Sequence, residues 1–144
     1  MLIEWKRTGS KKVLCARDVF TILNNIIGKE HKFDQDKEHF YCIGLSRANK
    51  ILYVNIEYID LVSLGSLTAT VVSPLAVYRF AILKGSAAII IAHNHPSGNL
   101  LPSDADKRIT TQLKEAGIIL DIKLIDHVIF TTEGYYSFAE EGLI

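Results

Sequence analysis

The sequence predicts an α/β fold, a mixed β-sheet flanked by helices. Three observations carry this. Apolar residues recur at helical spacing in two well-separated stretches. Ala87 to Ala92 (AAIIIA) is a short uninterrupted apolar run, rich in β-branched Ile and placed directly after a helical pattern. Helical and strand-like patterns then alternate to the end of the chain.

The first helix spans 17 to 27, where Val19, Phe20, Ile22, Leu23, Ile26 and Ile27 form an apolar face and Gly28 follows in the place of a left-handed cap. The charged stretch Lys29 to Lys37 (KEHKFDQDK) joins this helix to the next element. From Glu38 to Leu45 the letters EHFYCIGL alternate loosely, Ser46 to Lys50 supply turn chemistry, and Ile51 to Tyr58 repeat the pattern, which predicts a hairpin. Leu61 to Val72 is again β-rich and is interrupted at Gly65; an extended peptide could pair with it, with burial in the sheet as the plainer alternative.

Ser73-Pro74 places a capping hydroxyl before a proline at the first helical position, and Leu75, Val77, Tyr78, Ala81 and Ile82 extend a helix over 74 to 84, ended by Gly85. Ala87 to Ala92 reads as a strand buried on both faces and central to the sheet. After the loop Pro96 to Pro102, Ser103 opens a third helix through Ile109, Leu113 and Ala116, which Gly117 is expected to stop. Strands are expected near 118 to 125, 127 to 131 and 135 to 138, with Glu133-Gly134 as a turn.

Composition narrows the function classes. A chain of 144 residues can bury roughly two-thirds of the surface its unfolded form exposes, so a metal here would be functional before it was structural. The 16 Lys plus Arg balance 16 Asp plus Glu, which removes the bulk attraction that drives sequence-independent nucleic-acid binding. Only a local basic patch could restore it; Lys6, Arg7, Lys11, Lys12 and Arg17 form the one cluster, offset by Glu4 and Asp18. Cys15 and Cys42 stand far apart with no CxxC, fitting a reducing compartment. No signal peptide is visible, and no apolar run approaches the ~20 residues of a membrane helix, so the expectation is a cytoplasmic protein with no membrane partner.

The chemistry concentrates after the buried strand. His93 and His95 are two apart at its carboxyl end, so both imidazoles project to one side and can face one ion. Asp106 can supply a third ligand, because the loop returns the chain and Asp106 lies in the first turn of the next helix. Two histidines and a carboxylate leave a tetrahedral zinc with one position open for water, as catalytic sites do. The same letters, Ser103-Asp104-Ala105-Asp106, also fit an ordinary helix-capping pattern. Ser103 can serve twice, accepting the cap bond while donating its own proton to an oxyanion.

A hydrolase on this plan needs a further carboxylate, outside the ligand set, to move the water's proton. Glu30, Asp34, Asp36, Glu38 and Glu57 all lie upstream, and each alone reads as solvated charge. Glu38 has one advantage over the others, since it heads a strand and its side chain can be held.

At these residues the chain resembles a known family. His93-Asn94-His95-Pro96-Ser97-Gly98, then Pro102-Ser103 and Asp106, match the JAMM signature of the JAB/MPN metalloproteins, His-x-His, a fixed spacer, then Ser-x-x-Asp. The extended His-Asn-His-Pro-Ser-Gly, the later Asp126-His127 and the closing Tyr135-Tyr136-Ser137-Phe138 resemble the bacterial RadC-like branch, over about Glu38 to Phe138. The resemblance implies a JAB/MPN-like, cytidine-deaminase-like architecture. It further implies a Zn2+ held by His93, His95 and Asp106, Glu38 as acid/base on the water, and Ser103 supporting the tetrahedral intermediate. The implied reaction is hydrolysis of a peptide or isopeptide bond in a protein or peptide substrate. RadC-like chains are also commonly labelled as DNA-repair proteins, which keeps a nucleic-acid partner as a weaker expectation. The chain is expected to form one domain, 1–144, without the helix-hairpin-helix module of longer members.

Two similar-sounding readings fail on spacing. The HNH nuclease fold disperses its three residues along a ββα element, whereas His93, Asn94 and His95 are contiguous. A zinc deaminase would show His-x-Glu and a later Pro-Cys-x-x-Cys, and this chain has neither. A non-catalytic interaction module is the competing class, and the complete set His93, His95, Ser103 and Asp106 argues against it. His127 follows Asp126 at an expected strand start, where it lies near the site by resemblance or is simply a satisfied core histidine. His31 and His39 read as exposed bystanders.

Overall fold

Local sequence patterns set nearly every element of the computed structural model, which describes residues 2–4, 11–30, 32–58 and 72–144. In chain order they are β1 (Leu2–Glu4), α1 (Ala16–Ile27), α2 (Lys32–Gln35), β2 (His39–Leu45), β3 (Ile51–Tyr58), α3 (Pro74–Leu83), β4 (Ala88–Asn94), α4 (Asp104–Leu120), β5 (Lys123–Phe130) and β6 (Tyr135–Ser137). The strands form a six-stranded sheet in the order β1-β3-β2-β4-β5-β6. All neighbours are antiparallel except β4 and β5, so the sheet is mixed.

Alternation along β4 decides which layer each residue serves. Ile90 and Ala92 join α1 and the β2 residues Tyr41 and Ile43 in one core. Ile89 and Ile91 join Val77 and Tyr78 of α3 and Ile109 and Leu113 of α4 in the other. Every residue of β4 is therefore buried, as expected of a strand covered on both sides. The same alternation sends His93 to the α3/α4 side and Asn94 to the α1 side. This sets up the site.

Where the chain departs from expectation, packing supplies the reason. α4 runs through Gly117 to Leu120, and the left-handed residue that ends it is Asp121, at φ 56°. Gly117 is needed for contact instead: a Cβ there would stand 2.5 Å from both the Ile122 carbonyl and the Tyr78 hydroxyl. No strand starts at 118, because Ile118 and Ile119 are exposed on the last turn of α4. The two strands expected across 118–125 and 127–131 are one, β5, with its register against β4 shifted between Ile89 and Ile90. Gly28 is right-handed at φ −65°, because the chain continues turning through the bonds Lys29 N–H to Ile26 and Glu30 N–H to Ile27. β1 and α2 had no signal strong enough to predict them. His31 and the β-rich stretch up to residue 71 lie outside the described residues.

Gly44 marks the tightest approach across the hairpin. A Cβ on it would lie 2.1 Å from Cε1 of the fully buried Tyr53 ring and 2.6 Å from Ser86 Oγ. Gly44→Ala is expected to lower stability by about 1–3 kcal/mol, the usual cost of overpacking. A urea midpoint unchanged from wild type would contradict the packing of Tyr53 described here.

Candidate metal centre

Strand β4 delivers His93 at 2% exposure onto the α3/α4 side of the sheet. His95 lies one residue past the strand but still pairs with β5, donating its N–H to the Phe130 carbonyl at 3.0 Å. The chain then turns sharply, with the Gly98 N–H bonded to the His95 carbonyl at 3.0 Å and Gly98 itself at φ 83°, a conformation that glycine adopts without steric cost. The turn brings the Asn99 carbonyl to 2.6 Å from His95 Nδ1. A carbonyl only accepts, so His95 carries its hydrogen on Nδ1 and the neutral ring leaves Nε2 bare.

At the start of α4, Ser103 and Asp106 bond reciprocally. The Asp106 N–H donates to Ser103 Oγ at 3.1 Å, and the Ser103 N–H donates to Asp106 Oδ2 at 2.7 Å. The ordinary capping reading is thus correct, and it also orients the carboxylate. Asp106 Oδ1 stands 3.1 Å from His93 Nε2, and Oδ2 stands 3.5 Å from His95 Nε2. The two Nε2 atoms are 2.8 Å apart. Three acceptor-type donors to one point lie at separations close to the ~3.3 Å expected between ligands in a tetrahedron of ~2.0–2.1 Å bonds. Such lone pairs repel unless a cation sits among them, so the residues could hold a metal ion.

The electrostatics of the described side chains reflect this convergence. Burial pushes the Asp106 carboxyl up, but with no cation between them His93 and His95 rings that also carry a hydrogen on Nε2 donate to it, and these bonds with the Ser103 N–H outweigh burial and hold Asp106 well below the usual carboxylate range. The Asp106 carboxylate in turn raises His95 above its ordinary value, against the opposing effect of burial.

Of the upstream acids, the structure brings Glu38 to this cluster. Its Oε1 lies 4.0 Å from His93 Nε2, a gap that one water can bridge. Glu38, His93 and His95 each offer a donor atom within 4.8 Å of the others, a group able to hold a metal ion. Glu30 is committed on the opposite face, 2.8 Å from His39 Nε2. Asp36 is exposed, and the side chains of Asp34 and Glu57 lie outside the described residues. Lys6 and Arg7 of the basic cluster lie outside them as well.

Reading the sequence missed three contributors. Asn94 clamps the segment that carries Glu38: its Oδ1 accepts the His39 N–H at 2.6 Å and its Nδ2 donates to the Lys37 carbonyl at 2.9 Å. The middle residue of His-x-His therefore holds the backbone on either side of Glu38. His39 is fully buried, contrary to its reading as an exposed bystander, with its Nδ1 2.6 Å from the Lys37 carbonyl and its Nε2 2.8 Å from the Glu30 carboxylate. Thr110, one helical turn after Asp106, donates to the Asp106 carbonyl at 2.6 Å and meets His127 Nδ1 at 2.6 Å. An i, i+4 search from Asp106 would have found it.

A protein-family model described as "RadC-like JAB domain" matches residues 13–143. The chain belongs to the RadC-like JAB domain family. Among its relatives, a UPF0758 protein of Chlorobium chlorochromatii is 36% identical over 142 residues, covering 99% of this chain and 60% of the relative. One of Flavobacterium johnsoniae is 41% identical over 133 residues, covering 92% of this chain and 54% of the relative. One of Listeria welshimeri is 42% identical over 106 residues, covering 74% and 45%. This RadC-like JAB domain thus spans about three-fifths or less of the length of the curated relatives it matches. The mixed sheet with its flanking helices is consistent with a JAB/MPN-like fold. No described helix is long and apolar enough to cross a membrane.

Asp126, beside His127 in this RadC-like JAB domain, fastens β5 to the segment after it. Its Oδ1 accepts the His127 N–H at 2.7 Å and the Ala139 N–H at 2.9 Å, and its Oδ2 accepts the Ser137 hydroxyl at 2.5 Å. Burial raises the Asp126 carboxyl above its ordinary value, and these bonds only partly offset it. A raised folded-state pKa means the folded protein binds this proton more tightly, so the contribution falls as pH rises from the unfolded value of ~3.9 through the folded one. Asp126→Asn can keep the two backbone bonds at Oδ1, must reverse the third so that its amide donates to Ser137 Oγ, and removes the ionisation. Its melting temperature relative to wild type is expected to rise as pH increases from 4 towards 7; a difference that is flat or falls would contradict the shift.

Proposed function

We propose that the chain is a zinc-dependent hydrolase of amide bonds, acting on a peptide or isopeptide linkage in a protein or peptide substrate. One observation carries this reading: His93, His95 and Asp106 converge on one point while a separate carboxylate, Glu38, stands 4.0 Å from His93 Nε2. A structural zinc site is closed by four protein ligands, whereas three ligands beside an acid/base suit catalysis.

Zinc bound there would lower the pKa of a water to about 7 and polarise a carbonyl. The chain's own residues account for the remaining steps. Glu38, held from both sides by Asn94, takes the water's proton and passes it to the departing nitrogen, which cannot leave as an amide anion. Ser103 Oγ accepts the cap bond from Asp106, and its own hydrogen is available to a developing oxyanion. His95 and Asp106 are held in place before substrate arrives, by the Asn99 carbonyl and the Ser103 N–H respectively.

The reading is tested by following cleavage of a panel of peptide and isopeptide-linked substrates. Zinc-loaded protein is expected to cleave at least one class, to lose that activity on chelation and to regain it with added zinc. Turnover that survives complete removal of metal would contradict the proposal.

A further inference from the structure

Behind His93, on the side away from the other ligands, lies a buried polar chain that the hydrolytic scheme does not use. Thr110 Oγ1 is 2.6 Å from the Asp106 carbonyl and 2.6 Å from His127 Nδ1, and His127 Nε2 is 2.9 Å from His93 Nδ1. Thr110, His127 and His93 are 3%, 0% and 2% exposed, so water cannot substitute for these partners.

Chemistry fixes the direction of each bond. A carbonyl only accepts, so the single hydroxyl hydrogen of Thr110 goes to Asp106. Thr110 Oγ1 must then accept from His127, which places the His127 hydrogen on Nδ1. The ring of His127 is fully buried, stacks on Phe138 at 4.6 Å and meets the edge of Phe40 at 6.5 Å, and burial together with the neighbouring His93 disfavours a charge on it more than the Asp106 carboxylate favours one. An imidazolium would be costly there, and the neutral ring has a bare Nε2. The 2.9 Å contact is therefore a bond donated by His93 Nδ1.

We propose that His127 and Thr110 are positioning residues that lock His93 in the Nδ1–H tautomer, so that its Nε2 lone pair is the one presented to the metal. The chain closes on itself, from a ligand side chain through two relays to the backbone of Asp106, which ties the ring orientation of one ligand to the helix that carries another. His95 reaches the same tautomer by a shorter route, through the Asn99 carbonyl. The inference rests on the metal reading of His93 and goes beyond it by assigning roles to two residues outside the ligand set.

Two measurements test it. In metal-free protein labelled with 15N at histidine, long-range 1H–15N spectra at pH 8 are expected to show His93 protonated on Nδ1 and not on Nε2. Zinc affinity is then measured by competition with a chromophoric chelator, with folding checked by circular dichroism. His127→Leu is expected to weaken zinc binding 10- to 100-fold, as loss of a partner behind a ligand commonly does. His127→Gln can accept from His93 with its oxygen and donate to Thr110 with its nitrogen, and should recover most of that loss. Thr110→Val should weaken binding where Thr110→Ser does not.

A merely structural His127 predicts the reverse order, since Leu suits an apolar pocket better than Gln. Leu binding zinc as wild type does, Gln no better than Leu, or His93 found protonated on Nε2 would each overturn the proposal. A wild type that binds zinc with this ranking but cleaves no amide counts against the hydrolase reading alone. An active wild type with Leu and Gln equal counts against the relay alone.

Discussion

Glu38→Gln is expected to keep its zinc and lose between about 10²- and 10⁴-fold in turnover, the range that general acid/base groups typically contribute. The amide is nearly isosteric and can still be held by the Asn94 clamp on residues 37 and 39, so position is kept while the proton acceptor is removed. The loss should fall on kcat, because in the proposed reaction Glu38 acts on the water and the leaving nitrogen and not on substrate binding. The check is steady-state kinetics beside metal analysis of the same sample. Full turnover with zinc bound would mean that the proton is carried elsewhere.

Asp106→Ala should produce the largest change in stability. Zinc at about 1,000 times its dissociation constant would stabilise the wild type by roughly 4 kcal/mol, and the variant should show little or none of this shift. The variant also loses the bond to the Ser103 N–H at the start of α4. Ser103→Ala separates the two effects. It removes the hydroxyl that accepts from Asp106 N–H, costing about 1 kcal/mol as cap losses do, and should keep the zinc-dependent shift. Thermal melts with and without zinc read both. A zinc shift in Asp106→Ala equal to that of wild type would remove Asp106 from the ligand set.

What could be read from the sequence was what local chemistry decides. His93 and His95 share a face because a strand alternates, and Asp106 comes close because Ser103 caps the helix that carries it. The central strand was legible from AAIIIA because a strand buried on both faces needs no polar side. The unread parts depend on distant packing. His39 and Glu30 look like solvated groups until the fold brings them 2.8 Å apart, and the partners of Asn94 lie across the sheet at residues 37 and 39. Gly117 carries the usual mark of a helix end, yet its role is set by the Tyr78 hydroxyl and the Ile122 carbonyl. The break expected at Asp126 is a register shift within a continuous strand, and only the neighbouring strand reveals it.

The proposed zinc centre is tested most directly by the metal content of the purified wild-type chain beside His95→Ala and Asp106→Ala, by elemental analysis, with folding confirmed by circular dichroism. About one zinc per wild-type chain is expected, as a three-ligand site with an open position holds, together with its loss from both folded variants. Three folded proteins that stay metal-free even after incubation with zinc would contradict the centre, and would leave His93 to Asp106 as a strand end and a helix cap.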